Sequence, residues 1–323
     1  MRLALAGDAM LGRLVATRLE TDPRAALFAD DLAAIIGEAD AFVLNLECAI
    51  SDRGTRWPDP DKPFFFRAPP IAVEVLKDLG VDCVTLANNH ALDYGVDALL
   101  DTIERLNDVG IGVVGAGVDK AGARRPRVFE AAGTRIGVVG VTDHPAVFAA
   151  GAARPGVAYG NLRVETPQWL LDTIRTLGDE ADVVLVSPHW GPNMVQAPLP
   201  HVRRAAIEMR DAGATLVAGH SAHVFHGVGD RVLYDLGDFI DDYAIDRELR
   251  NDLGLLFIVT FANGRPTRVE AIPITLECCY TRLAAPDERD WIVRRFREAC
   301  AALGTRTIVR DDRIVVEWDA EMS

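Results

Sequence analysis

Short runs of aliphatic and β-branched residues alternate with stretches of helical period along most of this chain, and that alternation limits the folds open to it. The runs are RLALAG (2–7), AFVLNLE (41–47), CVTLAN (83–88), GVVGAG (112–117), RIGVVGV (135–141), DVVLVSPHW (182–190), TLVAGH (215–220) and RVLYDLG (231–237). Between several of them the apolar positions recur about every 3.6 residues, as in VDALLDTIERLNDVG (96–110) and PHVRRAAIEMRDAG (200–213). Strand and helix in turn imply β-α-β units and an α/β fold with a parallel or mixed sheet covered by helices. From about residue 251 the texture changes. LLFIVTFANGRPTRVEAIPIT reads as two strands joined by an Asn-Gly turn, followed by a helix (288–302) and a second hairpin in TIVRDDRIVVEW. We therefore expect a main domain over 1–250 and an α+β extension over 251–323 on the same core. The proline-rich, aromatic stretch PDPDKPFFFRAPP (58–70) is expected to be an ordered loop.

Composition narrows the function classes. Asp and Glu outnumber Lys and Arg, 48 to 34, for a formal charge of -14, and no basic stripe is present, so nucleic acid is not an expected partner. No apolar run approaches the roughly 18 residues that span a bilayer, and MRLALAGDAM is cut by Asp8, so it reads as a first strand and not a secretory signal. The 5 cysteines form no C-x-x-C pair, which fits reduced thiols in a cytoplasmic protein.

The polar residues fall at one kind of place. In open α/β sheets, ligands bind outside the carboxyl ends of the strands. Asp8 ends the first candidate strand and Glu47 the second; Asn89 and His90 follow the third. His189 closes VVLVSPH, and His220 closes TLVAGH with His223 three residues on. Strands in one sheet would bring these groups to one edge, and carboxylate, imidazole and carboxamide donors suit manganese, zinc or iron. Each piece alone has a structural reading: a turn for Gly7-Asp8, a capped loop for Asn88-Asn89-His90. His226 competes with His223 as the ligand. His144 and His201 are read as loop and surface histidines, and Asp143 and Asp238 as groups that support the site from behind.

The motifs GDAMLGR (7–13), NLE (45–47), KPFFFRAPP (62–70), ANNHALDYG (87–95), HWG (189–191) and GHSAH (219–223) occur in the order typical of the CapA family. The chain thus resembles the bacterial capsule-synthesis proteins linked to poly-γ-glutamate, over roughly residues 1–245. That family is similar to the calcineurin-like metallophosphoesterases, so the resemblance implies a β-sandwich flanked by helices and one or two divalent metal ions (Mn, Zn or Fe). It implies that Asp8, Glu47, Asn89, His189, His220 and His223 hold metal, with Glu47 bridging. It implies that His90 assists the leaving group, with Asp93 either orienting it or capping a helix. The sequence departs from the superfamily at Met10, where a histidine is usual, at Glu47, where aspartate is usual, and from the CapA pattern at Asn193.

The expected activity is a metal-dependent hydrolase acting on a phosphoester through a metal-activated water. Two alternatives stand beside it: an amide hydrolase or transferase on glutamyl-type peptides, and a non-catalytic accessory role in capsule assembly. Arg13, Arg67 and Asn88 are assigned to substrate contact. The partner is expected to be a small anionic or peptide-like substrate, with no nucleic acid, no membrane insertion and a homodimer allowed.

Overall fold

The computed structural model describes residues 1–318. Its first sheet begins with β1 (Arg2–Ala9), β2 (Ala41–Leu46), β3 (Cys83–Thr85) and β4 (Gly112–Val114). The chain then builds a second sheet from β5 (Arg127–Ala131), β6 (Thr134–Thr142), β7 (Val183–His189), β8 (Leu216–Ala218), β9 (Val228–Gly229) and β10 (Val232–Leu233). It returns to the first with β11 (Asp238–Ile240), β12 (Leu253–Ala262), β13 (Arg265–Glu277), β14 (Tyr280–Leu283), β15 (Ile308–Arg310) and β16 (Arg313–Glu317). Spatial order in the first sheet is β15-β16-β13-β12-β1-β2-β3-β4, with β11 beside β1 and β14 beside β13; in the second it is β9-β10-β8-β7-β6-β5.

Alternation along the strands shows how the layers stack. Leu3 and Leu5 of β1 and Ala41 and Val43 of β2 share one buried cluster with Ile136 and Val138 of β6 and Val183 and Leu185 of β7. Their neighbours Ala4, Ala6, Phe42 and Leu44 belong to a different cluster, with residues of α1 (Arg13–Thr21), α2 (Asp30–Ile36), α3 (Ala72–Asp78) and α4 (Gly95–Asp108). On the second sheet Val139, Val141, Val184 and Val186 pack with α6 (Gln168–Glu180) and α7 (Pro200–Asp211), beyond the short α5 (Lys120–Arg124). Successive side chains of a strand point to opposite faces. The two sheets therefore face each other across an apolar core, with helices on both outer faces. Strands covered on both sides read as continuous apolar runs, which is why β1 and β7 are buried almost end to end.

The expected placement of 251–323, strands and a helix on the same core, can be followed through the described part. There β12 pairs antiparallel with Arg2–Leu5 of β1, and α8 (Pro286–Ala301) buries Ile292 and Phe296 in the inter-sheet core. The Asn-Gly turn is present: Asn263 (φ 50°) and Gly264 (φ 74°) take the positive φ values of a tight hairpin. Several expected strands are shorter than their apolar runs, CVTLAN and TLVAGH keeping three residues each. GVVGAG breaks at Gly115, whose φ is 81°, so that Ala116–Gly117 pairs separately with Gly156–Val157. RVLYDLG keeps only Val232–Leu233 in the ladder, because Asp235 turns inward to hold the loop and Gly237 takes φ 73°. The edge strand β5 escapes a reading by periodicity, since its five residues are largely exposed and carry charges.

Candidate metal centre

The carboxyl ends of β1, β2 and β7 and the loop after β8 meet where the two sheets adjoin. At Gly7 the pairing of β1 with β2 shifts register between Ala6 and Asp8. Past that bulge β1 takes a new neighbour: Asp8 pairs in parallel with Asp238 of β11, and the Asp8 N–H donates to the Gly237 carbonyl at 2.9 Å. A Cβ on residue 7 would stand 1.8 Å from that same carbonyl oxygen, so only glycine lets the two strand ends approach. Glu47 follows β2, tied by its N–H to the Ala9 carbonyl at 3.0 Å. His189 and His220 are bridged through the backbone, with the His220 N–H donating to the Pro188 carbonyl at 2.9 Å. The loop then tightens through Ser221 (φ 108°) and His223 (φ 58°), a conformation rare for residues with side chains and found where function demands it. Asp235 fixes this loop by accepting from the N–H groups of Ala222 and Gly237, each at 2.9 Å.

The result is a buried polar cluster. Ligand atoms of Asp8, Glu47, His223 and Asp238 lie within 4.8 Å of one another. Asp8 Oδ1 accepts from Asn45 Nδ2 at 2.8 Å and lies 3.1 Å from His220 Nδ1. His223 Nδ1 is 2.8 Å from Asp238 Oδ1, His189 Nε2 is 3.3 Å from Glu47 Oε1, and the Tyr243 hydroxyl donates to Glu47 Oε2 at 3.3 Å. Asp8 Oδ2, Asp238 Oδ2, His189 Nδ1 and Asn89 Oδ1 are buried with no hydrogen-bond partner among the described residues. Polar atoms left so in a protein interior are costly unless something else satisfies them.

Electrostatics points the same way. Burial, with the Asp8 charge adding to it, pushes Glu47 well above the usual carboxylate range. Burial and like-charged neighbours do the same to Asp238, and Asp241 is pushed up to about 6. Burial alone would raise Asp8 too, but His220 beside it outweighs that and holds it low. Like charges crowded in a low-dielectric site disfavour ionisation of one another, and a divalent cation among them would relieve the repulsion. Oxygen and imidazole donors in this number fit such an ion.

His90 stands at the edge of the cluster. Its Nδ1 lies 2.6 Å from Asp93 Oδ2, and its ring stacks on Phe66 with centroids 4.0 Å apart. Phe66 in turn leans on Tyr243, centroids 5.8 Å apart. Burial drives His90 down to about 4, against the opposing pull of Asp93. Of the two readings of Asp93, the helix cap is wrong: Tyr94 is the N-cap of α4, and the Asp93 carboxylate faces His90.

Other expectations are redistributed. Asn88, assigned to substrate, is fully buried and fully used: its Nδ2 donates to Asn45 Oδ1 and the Leu46 carbonyl, and its Oδ1 accepts the His90 N–H at 3.0 Å. It braces the loop from within. His226 turns away, its Nε2 2.8 Å from the Val195 carbonyl, leaving His223 in the cluster. Asp238, expected behind the site, is one of the four clustered groups. Arg13 pairs with Asp242 at 3.2 Å and lies over the Phe64 and Phe66 rings, whereas Arg67 stacks on Tyr94 at 4.1 Å. His144 pairs with Asp143, and its ring lies 5.1 Å from that of His189; His201 Nε2 is 3.9 Å from Asp143. Met10 fills no ligand position; it is buried, and its Sδ accepts the Gly12 N–H at 3.2 Å. Sequence reasoning missed Lys62, Asp235, Asp241 and Tyr243. For Asp241 and Tyr243 the run DDYAID just beyond β11 was the available signal.

The model of the family described as bacterial capsule synthesis protein PGA_cap matches residues 2–243. The chain belongs to the PGA_cap family. A probable polyglutamine synthesis accessory protein of Mycobacterium tuberculosis is 30% identical over 294 residues, covering 85% of this chain and 76% of its own length. The PGA biosynthesis protein CapA of Bacillus subtilis is 29% identical over 311 residues, covering 94% and 76%. A hypothetical protein from Thermus thermophilus, of solved structure, aligns with 84% of this chain and 98% of its own at 17% identity and a TM-score of 0.49. The PGA_cap match contains every residue of the cluster and the His90–Asp93 pair, while β12 and the strands after it lie outside.

Proposed function

We propose that this chain is a metal-dependent hydrolase of the metallophosphoesterase type, acting on a phosphoester within capsule or polyglutamate synthesis. The observation that carries this reading is the cluster of Asp8, Glu47, His223 and Asp238, with unpartnered carboxylate oxygens, beside the His90–Asp93 pair. Asp8, Glu47, His223 and Asp238 would hold a divalent cation, with His189, His220 and Asn89 as further donors. Such a cation supplies Lewis acidity, polarising a substrate oxygen and easing the deprotonation of water.

The protein's own groups do the rest. With Nδ1–H committed to Asp93 and the ring held neutral by burial, His90 presents the lone pair of Nε2. It takes up the proton that the attacking water releases and returns it to the leaving oxygen, while Asp93 stabilises the transient imidazolium. Phe66 fixes the ring plane by stacking. Arg13, over the Phe64 and Phe66 rings, would meet an anionic group of the substrate.

A second reading, hydrolysis or transfer at a glutamyl amide by the same groups, is motivated by relatives named for polyglutamine and PGA synthesis. Protein purified without chelator is assayed with bis(p-nitrophenyl) phosphate and with γ-glutamyl-p-nitroanilide, alongside metal analysis per chain. Phosphodiester turnover that is lost in Asp8→Asn supports the first reading, and turnover of the anilide alone supports the second. An Asp8→Asn variant with wild-type metal content and turnover would overturn both.

A further inference from the structure

In the ordered loop 58–70, one residue touches both the main chain of Asn89 and the side chain of Asp93, beyond β3. The Lys62 ammonium donates to the Asn89 carbonyl at 2.9 Å and lies 2.9 Å from Asp93 Oδ1. Its side chain is only 13% exposed, boxed by the Phe65 and Phe148 rings at 5.9 and 5.6 Å. A lysine on a surface loop usually keeps its ammonium in water. Here the ammonium is drawn inward to a fully buried carboxylate.

Asp93 is the hub. Its Oδ2 faces His90 Nδ1 at 2.6 Å and accepts the Phe66 N–H at 2.7 Å; its backbone carbonyl accepts the Trp57 N–H at 2.8 Å. Its Oδ1 meets only the Lys62 ammonium among the described residues. Oδ2 is thus held by hydrogen bonds, while Oδ1, with no hydrogen-bond partner among the described residues, has the charge of the Lys62 ammonium beside it. The same cation pins the main chain of Asn89, whose Oδ1 is buried without a partner among the described residues.

We propose that Lys62 is a positioning residue: by holding Asp93 Oδ1 and the Asn89 carbonyl together, it fixes the tautomer of His90 and the aim of the Asn89 side chain. The inference rests on the reading that these two residues serve the metal-site chemistry, but its geometry can be tested without any substrate. Removing the ammonium leaves Asp93 Oδ1 buried with no counter-charge, so the carboxylate shifts about its Oδ2 contacts and the acceptor of His90 Nδ1–H is loosened. Groups that orient a functional histidine from behind are worth about 10- to 100-fold in activity or affinity when removed.

The full chain, with nitrogen-15 in its histidines, is compared as wild type, Lys62→Met and Lys62→Arg by long-range proton–nitrogen correlation. Wild type should show His90 as a single Nδ1–H tautomer. Lys62→Met should show tautomer-averaged nitrogen shifts for His90 alone, with the other histidines unmoved, and Lys62→Arg should restore the wild-type pattern. A folded Lys62→Met variant with an unchanged His90 signature overturns the proposal. If Lys62→Met does not fold, Lys62→Gln replaces it and is judged by the same His90 signature. Where turnover is found, Lys62→Met should lose about 10- to 100-fold in activity per bound metal. If no turnover is found with any substrate, the hydrolase reading fails while the tautomer result still decides the role of Lys62.

Discussion

Replacing His226 by glutamine should flatten the acid limb of the stability curve by about 3 kcal/mol, at about 1.4 kcal/mol for each pH unit. His226 is buried; its Nε2–H donates to the Val195 carbonyl at 2.8 Å, and its Nδ1 has no partner among the described residues. Protonation would place a charge on that enclosed nitrogen, so burial brings the group from its ordinary 6.5 down to about 4, with Arg295 adding to the effect and the Val195 bond opposing it. Between those two values the unfolded chain binds a proton that the folded chain refuses. Stability therefore rises with pH across the window from 4 to 6.5 and is level above it. Glutamine keeps a donor for Val195 and cannot titrate. Urea unfolding of the two proteins at intervals from about pH 4 to about pH 7.5 isolates the effect, because every other titrating group is common to both and cancels. The two curves should converge towards the acid end relative to their gap at neutral pH. Curves that stay parallel would refute the argument. The same variant should bind metal like the wild type, whereas His223→Gln should not.

Three further outcomes test the site and its scaffold. Manganese at a hundredfold excess over its dissociation constant should stabilise wild type by about 2.7 kcal/mol in a thermal melt, and that gain should be absent in Glu47→Gln. Gly7→Ala should lose metal binding as well as stability, since its methyl group would displace the Gly237 carbonyl and part Asp8 from Asp238; a fully loaded variant in metal analysis would contradict this. Phe66→Ala should cost about 3–5 kcal/mol in urea unfolding, as removal of a buried aromatic does, and should release the His90 ring from its stacked position.

The strand runs were legible because burial on both faces leaves short, β-branched apolar runs bounded by turn residues. That is why β1, β2, β7 and the final hairpins stand where their residues suggested. Sheet partition was not legible. Nothing in RIGVVGV says that it starts a second sheet rather than extending the first, since the decision lies in side-chain packing between residues far apart in sequence. At the site, the residues that close apolar runs stood out in the sequence: Asp8, Glu47, His189 and His220. Asp238 was placed one layer too far out because β11 is only three residues long and its pairing with β1 exists only after the bulge at Gly7. Lys62 was invisible for a different reason: a lysine in a proline-rich loop carries no pattern, and its meaning comes from Asp93, 31 positions later.

The pairing of β1 with β12 has a consequence for how the protein comes into being. Arg2–Leu5 find their antiparallel neighbours at Phe257–Thr260, some two hundred and fifty positions downstream. Contacts so distant in sequence slow folding, because the chain between them must be gathered first. Once Asp238 has been added, every residue of the polar cluster is present in the chain, yet the strand that carries Asp8 still has one bare edge. That edge closes only when Leu253–Ala262 arrives. A released chain truncated at residue 245 should therefore remain open to protease at β1, and the centre should capture its ion only after β12 has docked.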